Sequence, residues 1–115
     1  MEQAILTQEQ FVSLSRQILH ELASRFRIIP LNDLSDPRYR LQMPLLITLE
    51  FDDGQVVASL DEIEAFAHAE TEYEAIALLC AEIVHLYEEL VLDDQPLGPL
   101  PQKWRHYLKG VIQCR

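Results

Sequence analysis

Side chains able to do chemistry occur throughout this 115-residue sequence, but their spacing assembles no recognisable reaction centre. The four histidines, His20, His68, His85 and His106, form no HExxH pair and stand beside no cysteine. His85 and Glu89 are four residues apart, which on a helix makes a surface contact rather than a metal site. Ser13, Ser15, Ser24, Ser35 and Ser59 lie outside any GxSxG turn and have no evident His/Asp companions. Gly54, Gly98 and Gly110 are isolated, so no glycine-rich loop can cradle a phosphate. Glu50, Asp52 and Asp53 gather at the end of an expected strand, where nuclease folds hold divalent metal. Without further carboxylates beside them they read as turn chemistry. Cys80 falls on an apolar helical face and reads as a buried thiol, and Cys114, next to the last residue, as a frayed one. The expectation is a chain without catalytic residues, metal or cofactor: not an enzyme.

Charge is the more informative property. The net charge is -10. Residues 41–102 hold fourteen acidic side chains and no lysine or arginine. The flanking segments hold all nine basic residues and five acidic ones. An acidic body repels phosphate backbones and attracts basic surfaces, so a protein partner is expected and direct nucleic-acid binding by the core is not. Arg38 and Arg40, which flank Tyr39, could touch nucleic acid or an acidic partner, but read more simply as a solvated loop or an internal pair for that body. No run approaches the ~18 apolar residues of a membrane span. The opening MEQAILTQEQF lacks a basic, then apolar, leader pattern, so a cytoplasmic location is expected.

The elements that would position these residues follow from periodicity and caps. Thr7 and Gln10 match a capping box, and Phe11, Leu14, Ile18, Leu22 and Phe26 recur at helical spacing, predicting a helix over about 7–26. Residues 29–44, with Pro30, Asn32, Asp33, Asp36, Pro37 and Pro44, read as a connector. LLITLEF and QVVASL around Asp52-Asp53-Gly54 predict a β-hairpin with positive φ at Gly54. Residues 63–68 alternate as a third, shorter strand. Thr71 and Glu74 form a second capping box, opening a helix whose stripe runs from Ile76 to Val91 and which should pack on the sheet. Trp104, Tyr107, Leu108, Val111 and Ile112 predict a last helix over about 101–113. The expected fold is one α+β domain, a small antiparallel three-stranded sheet packed by one long helix, with added terminal helices.

Residues 44–92 resemble the HicB-type antitoxin domain. The matching pieces are ITLEF at 47–51, DDG at 52–54, QVVASL at 55–60, DEIEAFAHAE at 61–70 and TEYEAI at 71–76, where Thr71, Glu74 and Ala75 match the family's helix start and Glu70 stands for its usual Asp. Ala69 replaces the usual glycine before the helix, and the loop after the second strand lacks the family's Pro-Gly element. Residues 97–115 have room for one helix, so the operator-binding motif common in that family is not expected. The resemblance implies a partly RNase H-like fold without its catalysis. It also implies a small basic mRNA-cleaving toxin as partner, neutralised by occlusion. Glu64, His68, Glu70 and Glu72, at the third strand and helix start, are the expected contact residues. The alternative is a stand-alone homo-oligomeric module in which the free edge of the hairpin pairs with a copy of itself.

Overall fold

The computed structural model describes residues 8–10, 12, 13, 16, 25–93 and 95–115. Of the expected N-terminal helix, Gln8, Glu9, Gln10, Val12, Ser13, Arg16 and Arg25 are helical. Thr7, Phe11, Leu14, Ile18 and Leu22, which carried that expectation, lie outside the described residues. Phe26 does not close the helix; it opens a strand.

That strand, β1 (Phe26–Leu31), and the short β2 (Tyr39–Leu41) take up the two parts 29–31 and 39–41 of the expected connector. β3 (Leu45–Asp52) and β4 (Gln55–Leu60) form the predicted hairpin, and β5 (Ala65–Ala69) follows. The main sheet runs β1-β3-β4-β5, antiparallel throughout, so it has four strands rather than three. Pro30 is tolerated because β1 is an edge strand, where a missing N–H need not interrupt the ladder. Both edges of the hairpin are therefore covered, β3 by β1 and β4 by β5, and its edge is not open to self-pairing.

Local chemistry explains the connections. Asp53 (φ 44°) and Gly54 (φ 76°) both take the left-handed conformation between the paired Asp52 and Gln55. That twist matches the strands it joins. A single 3₁₀ turn, Asp61–Ile63, closed by Glu64 at φ 53°, links β4 to β5. Ile63, expected to begin the third strand, instead plugs the core from that turn at 1% exposure.

α1 (Glu72–Tyr87) begins where predicted: the Thr71 hydroxyl accepts a hydrogen bond from the Glu74 N–H at 3.1 Å. Glu72 and Glu74 in its first turn suit the positive end of its dipole. The helix widens into a π-helical turn, Glu88–Leu92, short of the continuous α-helix expected to Val91. Thr71→Ala should remove the cap and cost about 1 kcal/mol, a melting-temperature drop of roughly 4–8 °C readable by thermal circular dichroism. Thr71→Ser should restore it.

α2 (Pro99–Val111) opens with prolines in its first turn, two residues earlier than expected, and stops at Val111. The chain then extends as β6 (Ile112–Cys114), which pairs with β2 through Tyr39↔Cys114 and Leu41↔Ile112. Cys114 is thus held in a strand and is not frayed. Ile47, Leu49, Ala58 and Leu60 of the sheet meet Ala75, Leu79 and Ile83 of α1 and Leu108 of α2 in one buried cluster. All of those residues are fully buried.

Candidate functional site

The exposed side of α1 carries charge of one sign. The helix contains no lysine or arginine. Tyr73 is 82% exposed and Leu78 50% exposed. Glu74 and Glu82 share that helix with them, and Glu70 stands just before its cap. Among the described residues no ion pair engages Glu70, Glu74 or Glu82. His85 and Glu89 approach to 3.4 Å, both exposed, the surface pair expected from their spacing.

The cations that might have neutralised this surface hold the fold together instead. Arg27 of β1 ion-pairs with Glu72 and stacks over Phe51 at 5.6 Å. Arg38 bonds Asp36 at 2.8 Å, reaches Glu88 at 3.6 Å and lies over the Tyr39 ring. Its side chain and N–H hold the Asp36 carboxyl down at about 2. Arg40 donates to Gln113 across the β2–β6 pair. Arg105 donates to the carbonyls of Leu90 and Gln95, and Arg115 to that of Tyr39. Arg38 thus pairs internally with Asp36 and Glu88, whereas Arg40 meets the neutral Gln113 rather than the acidic body.

The four residues expected at a contact surface do not converge. Glu64 is exposed at the left-handed position before β5, and Glu70 is exposed just after β5. The five residues of β5 lie between them, six steps of strand or about 20 Å. His68 is exposed on β5 opposite Val57. Glu72 is half-buried and committed to Arg27.

A second surface was not foreseen. Alternate residues of a strand point to opposite faces. With Leu45, Ile47 and Leu49 buried under the helices, Leu46, Thr48 and Glu50 face outward. Register carries that face across the sheet as two rows, Ile28–Thr48–Ser59–Phe66 and Phe26–Glu50–Val57–His68. Ile28 is 68%, Leu46 63% and Phe66 65% exposed. The outer face is therefore open and mixed, with Thr48, Ser59, Glu50 and His68 lying between the exposed apolar side chains. The signal was present in the sequence as the alternation of Phe26 and Ile28, but it needed β1 to be recognised.

Elsewhere the chemistry is quiet. Cys80 is buried, its thiol directed at the Asp33 carbonyl, and burial pushes its pKa up, away from the reactive thiolate. Tyr39 and Tyr87 meet edge to face at 5.2 Å, and the Tyr87 hydroxyl contacts the Cys114 sulfur at 3.5 Å. Burial, then that contact, pushes the Tyr87 hydroxyl up to about 12. A groove of about 450 Å³ between residues 34–38 and α1 is lined by Arg38, His85 and Glu88 among others, and its cation is already paired. Among the described residues no three His, Cys, Asp or Glu side chains are placed to share a metal ion, and no helix is long and apolar enough to cross a membrane. No protein-family model, curated protein or solved structure matches the chain.

Proposed function

We propose that this chain is a non-catalytic protein-binding module of the HicB-like antitoxin kind, which neutralises a small basic RNase in the cytoplasm by covering it. The observation that carries the reading is the exposed face of α1: acidic, free of lysine and arginine, with Tyr73 and Leu78 presented among Glu70, Glu74 and Glu82. Exposed aromatic and aliphatic anchors supply affinity at such surfaces, while the surrounding charge steers a basic partner and rejects an acidic one. Glu64 and His68 do not join that face: His68 lies in the outward row of the sheet, away from α1, and Glu64 stands a strand's length from Glu70. Glu72 stands apart as a structural residue, since its ion pair with Arg27 ties α1 to the edge strand.

The test uses the chain as bait in lysate of the source cells. A small basic protein should be retained at low salt, be shed at high salt, and lose its ribonuclease activity on mRNA when the purified chain is added. Reversing charge with Glu70→Lys and Glu74→Lys together should weaken the complex about 100-fold or more, with folding unchanged. Binding that ignores both salt and these substitutions would remove α1 from the interface; a partner with no nuclease activity would remove the antitoxin reading. The alternative, a homo-oligomeric module, is favoured by the open outer face of the sheet.

A further inference from the structure

Charge is segregated between the two helices of this fold. Residues 95–115 contain no aspartate or glutamate. Of their lysines and arginines, Arg105 and Arg115 are committed to main-chain carbonyls. Lys103 and Lys109 are not. Both are exposed, and among the described residues neither is in an ion pair. Helical periodicity sets Lys103, His106 and Lys109 on the side of α2 opposite the buried Leu108 and Val111. α1 presents the complement. Its outer side carries Glu74 and Glu82 with Leu78 between them, one turn from each. Ala77 and Ala81 beside them are exposed and small, so a second helix can approach to the short end of the usual axis separation of about 8–10 Å.

The core keeps these two faces apart within one chain. Leu79 and Ile83 of α1 and Leu108 of α2 belong to one buried cluster, so both charged sides look outward from it. Among the described residues no ion pair joins the two helices. A second copy can bring the faces together. Glu74 and Glu82 lie about 12 Å apart along their axis and Lys103 and Lys109 about 9 Å apart along theirs, a difference that long lysine side chains span. We propose that the free protein is a dimer in which α2 of one copy lies on α1 of the other, with Lys103 and Lys109 against Glu74 and Glu82. Both helices stand on the same side of the main sheet, so a two-fold axis makes both contacts at once and the assembly closes. A nucleic acid would also suit the two lysines, but a chain of net charge -10 repels it. A second copy supplies both the carboxylates and the exposed Leu78 as an apolar anchor. The inference rests on the reading of α1 as a face for basic partners, and adds that a basic toxin must displace the second copy.

Sedimentation of the purified full chain over a wide concentration range tests it. At low ionic strength the expected species has twice the 13.3 kDa chain mass. Raising the salt from about 0.01 M to about 0.15 M shortens the screening length from about 30 Å to about 8 Å, and should weaken the dimer about 10-fold or more. Glu74→Lys with Glu82→Lys, and separately Lys103→Glu with Lys109→Glu, should each weaken it about 30-fold or more. Circular dichroism checks that both variants fold; if the α1 pair melts, Glu74→Gln with Glu82→Gln takes its place with the same direction of effect. Mixing the two reversed variants is the decisive arm. Each repels its own kind, yet together both contacts again join opposite charges, so the mixture should return to a dimer. The lysine reversals leave α1 intact, so capture of a basic protein from lysate by that variant tests the toxin-neutralising reading by itself. A wild-type chain that stays monomeric at low salt at every concentration would overturn the dimer. So would a dimer indifferent to salt and to both reversals, a mixture that stays monomeric, or monomers that bind single-stranded RNA through Lys103 and Lys109.

Discussion

Leu79→Ala should cost about 3–5 kcal/mol of folding stability. Leu79 lies mid-way along α1 at 0% exposure, one turn from both Ala75 and Ile83, which are equally buried. α1 packs on β5 and β4, strands held in register by their own ladder, and meets α2 at its side. They cannot collapse into the space three missing carbons leave, so the loss of transfer energy is joined by a cavity term. Against a total stability of roughly 5–15 kcal/mol for a domain of this kind, the change leaves a marginal fold. Urea denaturation checks it: the midpoint should fall by more than 1 M if the slope is about 1–3 kcal/mol/M. Leu78→Ala is the control. That side chain is adjacent in sequence but 50% exposed, and its removal should cost about 1 kcal/mol or less. Equal losses at the two positions would mean that α1 presents a different face to the sheet.

The same contrast shows what the sequence makes legible. The hairpin and α1 follow from rules that act over a few residues: Asp53-Gly54 takes the two left-handed conformations the tight turn requires, and Thr71 caps the helix two strands later. β1 is obscured for two physical reasons. Pro30 and Asn32 read as breakers, yet an edge strand has no ladder bond for proline to remove. Arg27 stands opposite Leu49, on the helix-covered face, where alternation calls for an apolar residue. It is accommodated there because its guanidinium stacks on Phe51 and pairs with Glu72. β6 is obscured differently. Val111 and Ile112 continue the helical stripe of α2, and only pairing with β2, more than seventy residues earlier, makes Ile112 a strand residue. Local pattern contains no trace of a partner so distant.

The interaction surfaces divide along the same line. That Glu64, His68 and Glu70 are exposed could be expected from their types and from the turns beside them. That they spread along a whole strand could not, because their separation depends on where β5 begins and ends. Glu72 was indistinguishable from its neighbours until β1 brought Arg27 to it. The outer face is the extreme case: its two rows draw on all four strands, so it exists only once the full register is known.

Arg105→Ala should show that a single cation organises the second half of the chain. The π-helical turn that ends α1 leaves carbonyls without helical partners, and the Leu90 carbonyl receives Arg105 Nε at 2.6 Å. From the same guanidinium, Nη2 reaches the Gln95 carbonyl, also at 2.6 Å. One side chain on α2 therefore fixes both the end of the preceding helix and the loop that turns back from it. Hydrogen bonds from a charged donor contribute about 1.5–3 kcal/mol each. Arg105 is only half-buried, and water can replace part of that, so the expected loss is about 2–3 kcal/mol for the pair. Arg105→Lys should recover less than half, because an ammonium cannot span two carbonyls as a planar fork does. The discriminating readout is amide hydrogen exchange. Protection should fall across residues 88–98 and along α2, while β3 and β4 keep theirs apart from the uniform loss set by global stability. If exchange in 88–98 were unchanged and stability fell by less than about 0.5 kcal/mol, the two short bonds would be incidental. α2 would then be held by its apolar side chains, Leu108 and Val111 in the core with Trp104 and Tyr107 packed against it.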